Sequence, residues 1–266
     1  MRIPFTKAHG ARNDFLLTWD HDIPELDYAA VARAICDRHA GVGADGWILV
    51  GEQAGLPWIR LFNSDGSEAE ISGNGTRCAA AFLMDAGVCG GEVTIRTGAG
   101  AKQLRRLGRR GMHFELEMNM GRPTVREGHL RFPLPVSEAT VDATILDVGN
   151  PQCAVFVSDF DFDWRKLGAE IERHPMFPNR TNVSFVRPLD AHTIEVRFFE
   201  RGAGETMSSG TGSTGAAAAS VLRGLTQSPV RVLTPAGPLD LRWDGGDIFL
   251  VGPAEIVATG EFLLEP

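Results

Sequence analysis

At 266 residues, with 43% hydrophobic and 23% charged content, the chain has the make-up of a soluble globular protein, long enough for one large or two medium domains. A net charge of −8, with no basic cluster beyond residues 105–110, argues against nucleic acid as a partner, and that short cluster reads as a solvated hairpin. No apolar run reaches the length of a membrane span, the opening MRIPFTKAHG lacks a signal-type apolar region, and Cys36, Cys78, Cys89 and Cys153 fall in no metal or redox spacing; a reducing cytoplasm without a metal site is the expected setting.

Residues 3–7 read as a first strand, His9 to Asp14 as a turn and residues 15–19 as a second, apolar strand. Asp27 is placed to cap a helix running to His39, with Val31, Ala34 and Ile35 on its inner face and Gly41 ending it. GVGADGWILV is a turn feeding a strand, and residues 58–62 are a strand leading into a loop rich in Gly, Ser, Asp and Glu. Gly73-Asn74-Gly75 then opens an Ala-rich helix over 77–84, so Ser72 sits where that helix begins. Strands with Gly-rich turns fill 93–121, and residues 123–140, with Pro133 and Pro135, read as a linker.

The same order then returns. A strand at 145–148 precedes Gly149-Asn150-Pro151-Gln152 and another strand at 153–157; a helix capped at Asp161 or Asp163 carries Trp164, Leu167 and Ile171 and stops at Pro175. PNRTNVSFVR feeds a strand, the strand at 194–199 leads into a second loop, and Gly210-Thr211-Gly212 after Ser209 opens a helix over 213–222, with strands over 230–262. The repetition is literal. Adding 137 to IRLFNSDGSEAEISGNG (59–75) gives VRFFERGAGETMSSGTG (196–212), placing Glu68 on Glu205 and Ser72 on Ser209, while Asn13 falls on Asn150 and Asp45 on Asn182. The expected architecture is α+β, two pseudosymmetric halves over 1–125 and 138–266, each a mostly antiparallel barrel-like sheet around a central helix.

A helix N-terminus offers unpaired N–H groups and a positive dipole end, and glycine lets a ligand approach the backbone, so each unit is suited to a carboxylate or phosphate. Two such sites related by the repeat are expected to face one another across a cleft. Each feature also has a plainer reading: Ser72 and Ser209 suit simple N-capping, and Asn13, Asn63, Asn150 and Asn182 singly suit turns. His9 reads as structural, Cys78 and Cys153 as small buried hydrophobes, and Glu68 and Glu205 as loop organisers.

FTKAHGARNDF, DRHAGVGADG, NSDGSEAE with GNGTRC, GNPQC, NRTNVSFV, and ERGAGET with GTG resemble, in order and across almost the whole chain, the successive motifs of the diaminopimelate epimerase family. The resemblance implies cofactor-free inversion at an amino-acid α-carbon, one group removing a proton from one face while another returns one from the opposite face. It implies catalytic positions at Ser72 and Ser209, where the family has cysteine, and Gln152 where the family usually has histidine. Binding positions follow at Asn13, Asn63, Asn150, Asn182, Glu200 and Arg201, with a backbone cradle at Gly73, Asn74, Gly210 and Thr211. Arg201 points to a second, distal carboxylate, so the substrate expected is a dicarboxylic diamino acid, LL-2,6-diaminopimelate giving the meso form on the lysine and peptidoglycan precursor route, rather than the proline-like substrate of proline racemase relatives. A homodimer is compatible with the family. Serine is a far weaker acid than cysteine, so three functions stay open: an epimerase with assisted serines or with its cysteines replaced to trap substrate, a related isomerase with different proton chemistry, and a non-catalytic amino-acid binder.

Overall fold

The computed structural model describes residues 1–264; Glu265 and Pro266, the end of the expected second half, lie outside them. In the first part of the chain come β1 (Arg2–Gly10), β2 (Asn13–Trp19), α1 (Tyr28–Cys36), β3 (Gly46–Gln53), β4 (Leu56–Asn63), β5 (Glu68–Ala69), α2 (Gly73–Asp85), β6 (Glu92–Thr97), β7 (Gly100–Arg110) and β8 (His113–Gly121). There follow β9 (Thr124–Val125), β10 (Phe132–Val136), β11 (Ala139–Asp147), β12 (Pro151–Phe156), α3 (Trp164–Glu172), β13 (Asn182–Asp190), β14 (Thr193–Glu200), β15 (Gly204–Thr206), α4 (Gly210–Leu222), β16 (Val230–Thr234), β17 (Gly237–Trp243) and β18 (Ile248–Leu263). The central helices α2 and α4 begin and end 137 residues apart, as the repeat requires. Two compact units result, residues 1–118 with Gly252 onward, and residues 119–251.

In the first unit the pairings run β18, β1, β2, β3, β4, β6, β7, β8 and return to β18, closing eight strands. Most pairs are antiparallel. The parallel ones, β2 with β3 and β4 with β6, are those joined through a helix, because parallel neighbours need a long crossover. From Gly73 to Met84 every residue of α2 is buried, which the small side chains of GNGTRCAAA permit inside a ring of strands. Helix α1 instead buries one face against Trp47, Leu49 and Phe62. Strand β3 is therefore covered on both sides, and GWILVG is buried throughout instead of alternating.

Helix α1 is shorter than the sequence suggests. The Asp37 carboxylate accepts the amides of His39 and Ala40, each at 2.7 Å, and this local turn replaces another helical step. Its buried face is Val31, Ala32, Ile35 and Cys36, so Ala32 takes the place expected of Ala34.

The second unit orders its strands β10, β11, β12, β13, β14, β16, β17, β18, with helix-bearing parallel crossovers at β12 with β13 and β14 with β16. Here α4 is the buried central helix, and α3, capped by Asp163, packs Trp164 and Ile171 against Phe185 and Val183. The expected linker at 123–140 is in fact structured. It holds β9 and β10, and Pro133 and Pro135 are tolerated because they take the exposed alternate positions of β10 while Leu134 between them is buried. The last strand belongs to both units: residues from Ile248 pair with β17, and those from Glu255 pair with β1. All four cysteines are free, and Cys36, Cys78 and Cys153 are buried.

Candidate active site

Each central helix starts in the same way. Ser72 is extended (φ −129, ψ 123) and its Oγ accepts the Gly75 amide at 3.1 Å; Ser209 is extended (φ −138, ψ 122) and its Oγ accepts the Gly212 amide at 3.0 Å. The fourth amide is taken by the cap carbonyl, Thr76 N–H to Ser72 O at 2.8 Å and Ser213 N–H to Ser209 O at 2.9 Å. That leaves the first two amides of each helix, Gly73 and Asn74, Gly210 and Thr211, with no protein acceptor among the described residues. At Gly212 the glycine is required. A Cβ there would stand 2.8 Å from the Phe198 ring and 2.9 Å from Ser209 Oγ.

A side-chain pair braces each helix start, again at matching positions. Asn74 Nδ2 donates to Asn13 Oδ1 at 3.2 Å, and Asn150 Nδ2 donates to Thr211 Oγ1 at 3.3 Å. Asn13 is held further by its Nδ2, which donates to Asp45 Oδ2 at 2.7 Å, and Arg38 joins Asp45 to Asp14. Burial works against the Asp14 charge, but the Arg38 and Lys7 partners outweigh it and hold the carboxyl below its usual range. Beneath the first helix start lies Arg77, fully buried. Its guanidinium donates to Asn74 Oδ1 at 2.5 Å, Gly73 O at 3.3 Å and Pro253 O at 3.2 Å, and burial pulls its pKa down to about 10.

The second unit differs in what surrounds the serine. Glu200, at the end of β14, faces the hydroxyls of Ser209 and Thr206. Burial pushes its carboxyl above the usual range, and the two hydroxyls offset that only in part. The matching position in the first unit is Asn63, whose Nδ2 donates to Ser67 Oγ at 2.9 Å. No carboxylate, imidazole or amine among the described residues hydrogen bonds to Ser72. Asn182 Nδ2 donates to Pro151 O at 3.1 Å, and its Oδ1 accepts the Arg201 amide at 3.0 Å, which ties the exposed Arg201 to the same corner. Gln152, 1% exposed, donates to Asn150 Oδ1 at 2.6 Å while its own Oε1 has no partner.

The expected site residues thus gather as Ser72, Gly73, Asn74 and Asn13 in one unit, with Asn63 at the adjoining strand end, and as Ser209, Gly210, Thr211, Asn150, Glu200, Asn182 and Arg201 in the other. Glu68 and Glu205 are engaged elsewhere, each gripped by an arginine, Arg60 at 2.9 Å and Arg165 at 2.5–2.8 Å. Cys78 and Cys153 are inert hydrophobes, their thiols pushed up to about 12 by burial. Nothing in the sequence marks Arg77 or Glu172. Only Asp45, by falling on Asn182 in the repeat, carried a signal there. Among the described residues no group of three or more His, Cys, Asp or Glu side chains is placed to hold a metal ion.

The family model for diaminopimelate epimerase matches this chain in two stretches, residues 5–125 and 144–257. The diaminopimelate epimerase of Halothermothrix orenii is 35% identical, spanning 100% of this chain and 99% of its own length, and that of Aromatoleum aromaticum is 40% identical, spanning 98% and 99%. A probable proline racemase from Agrobacterium radiobacter K84, solved with bound carbonate, has the same fold, with a TM-score of 0.75 at 15% identity over 99% of this chain and 94% of that one. With a family match in both halves and full-length relatives at this identity, the chain belongs to the diaminopimelate epimerase family of isomerases.

Proposed function

We propose that the chain is an epimerase acting, without a cofactor, at the α-carbon of a dicarboxylic diamino acid of the diaminopimelate kind, interconverting the LL and meso forms. The observation that carries the reading is Glu200, a carboxyl kept basic by burial and set against the Ser209 hydroxyl at a helix start with two free amides. In this reading the unpaired amides at each helix start, Gly73 and Asn74 in one unit and Gly210 and Thr211 in the other, are the groups suited to a substrate carboxylate and to the charge that develops on it as the α-proton leaves. Glu200 takes that proton on one face, directly or through the Ser209 hydroxyl. A hydroxyl on the opposite face, assigned to Ser72, returns a proton to carbon. Arg201 takes the distal carboxylate, and Asn13, Asn63, Asn150 and Asn182 orient the rest. The four free thiols support a reducing cytoplasm as the setting.

One observation favours a second reading, that of a non-catalytic binder of the same ligand: Ser72 has no basic partner within hydrogen-bonding reach among the described residues, and a serine hydroxyl alone is a poor proton donor near neutral pH. Deuterium incorporation at the α-carbon of diaminopimelate in heavy water, read by NMR or mass, separates the two. An epimerase exchanges the α-proton in the parent, and exchange rises by orders of magnitude when Ser72→Cys and Ser209→Cys are combined with Gln152→His, because a thiol at a helix start is a far better acid. A folded triple variant that binds diaminopimelate without exchange sinks the epimerase reading.

A further inference from the structure

Two departures from the internal repeat meet at one place in the second unit. At the 137-residue offset Glu172, the last residue of α3, falls on the buried Ile35 of α1, and Arg180 stands where the first half has Gly43. Gly43 turns a left-handed corner at φ 80, which suits glycine, and Arg180 turns the same corner at φ 59 despite its side chain. Both replacements bring charge, and the charges meet, with Arg180 Nη1 lying 3.3 Å from Glu172 Oε1. Glu172 is 2% exposed, so this is a buried carboxylate with a specific partner and no ordinary surface pair.

The same Oε1 accepts the Gly202 amide at 3.2 Å, while Oε2 takes Arg173 Nε at 3.1 Å. Gly202 follows Arg201, whose own amide donates to Asn182 Oδ1. Two consecutive amides of the turn that carries Arg201 are therefore pinned by two different side chains. The Arg201 guanidinium reaches on to Asn179 O at 3.4 Å. In the first unit the matching turn has Ser64 and Asp65 at these positions. Its anchors are the Ser64 amide on Asp45 O at 3.1 Å and the Ser67 amide on its own Asp65 at 2.8 Å. The buried carboxylate occurs in the half whose turn bears an arginine.

We propose that Glu172, locked by Arg180, is the positioning residue of the Arg201 turn and thereby sets the preference for a substrate with a second carboxylate over the analogue without one. This rests on the reading that Arg201 receives the distal carboxylate. A charged acceptor holds an amide more firmly than a neutral one, and a guanidinium grips a carboxylate bidentately only when its backbone is held in place.

The test is calorimetric binding of meso-diaminopimelate and of lysine, which has the same skeleton without the second carboxylate, to the parent and to Arg201→Ala, Glu172→Ala, Glu172→Gln and Arg180→Gly. The parent is expected to prefer diaminopimelate and Arg201→Ala to erase that preference. Glu172→Ala is expected to weaken diaminopimelate by about tenfold to a hundredfold and leave lysine unchanged, with faster deuterium exchange at the Gly202 amide. Glu172→Gln, which keeps an oxygen for Gly202, recovers part of the loss, and Arg180→Gly falls between. If Glu172→Ala does not fold, Glu172→Gln and Arg180→Gly decide. A parent without preference, or an Arg201→Ala variant that keeps it, overturns the substrate reading. Preference lost in Arg201→Ala but intact in the Glu172 and Arg180 variants overturns the role of Glu172 alone, as does equal weakening of both ligands without recovery by glutamine.

Discussion

Burial holds the Glu200 carboxyl above its usual range, so the folded chain keeps a proton that the unfolded chain has already released. Where the folded state binds more protons, stability falls as pH rises. The loss begins near the ordinary glutamate pKa of about 4.3, continues through the raised folded value and then levels off. Glu200→Gln removes the ionisation and keeps the shape. It is expected to melt no lower than the parent at pH 7, with any advantage gone below about pH 4, and to lose α-proton exchange. Melting curves from acid to neutral pH check the first part, and a variant that melts lower at neutral pH would contradict the placement of Glu200. The cysteines give a second prediction at this scale. With Cys78 and Cys153 pushed up to about 12, thiols introduced by Ser72→Cys and Ser209→Cys should alkylate with iodoacetamide at neutral pH while those two stay unmodified, as peptide mapping would show.

The two helix starts are equal in backbone but unequal in tolerance. At Gly75 an added Cβ meets Ile48, Phe15 and Ser72 side-chain atoms at 3.2–3.3 Å, whereas at Gly212 it meets the Phe198 ring and Ser209 Oγ at 2.8–2.9 Å. Gly212→Ala should therefore cost more than Gly75→Ala, with the former on the order of 1–3 kcal/mol because the ring or the cap must move. Urea denaturation of the two variants checks the order, and equal midpoints would refute it. Loss of either cap itself, Ser72→Ala or Ser209→Ala, should cost about 1 kcal/mol, so the serines contribute to stability whatever their chemistry.

Over the whole molecule the decisive feature is the path of the chain, which leaves the first unit after Met118 and returns to it at Gly252. The returning segment pairs Arg2 with Leu263 through to His9 with Glu255, and Ile256 donates its amide to Met112 O at 3.0 Å. Without it β1 and β8 become sheet edges, and Arg77 loses the Pro253 carbonyl that accepts its Nε. Ending the chain at Val251 should therefore unfold the first unit, read as rapid proteolysis within residues 1–118. A truncated chain in which that segment resists protease as the parent does would show that the ring does not need its eighth strand.

The repeat and the two capped helix starts are determined by local sequence, since a serine before Gly-x-Gly and an Ala-rich run specify a buried, closely approached helix wherever they occur. The same locality explains the misses. Pro133 and Pro135 read as linker because a proline pattern does not show which of its residues face solvent on a strand with one partner. The sequence carries α1 on to His39 because Asp37 competes for the backbone only once the chain turns. Tertiary structure alone decided that Glu200 lies against Ser209, that Arg77 is buried beneath Asn74, and that Glu172 reaches the amide of Gly202. Those relations join residues 9 to 30 apart or lie across a helix turn, and a carboxylate or guanidinium reads the same in sequence whether water or protein surrounds it. Its burial, and so its pKa and its use, exists only in the folded chain.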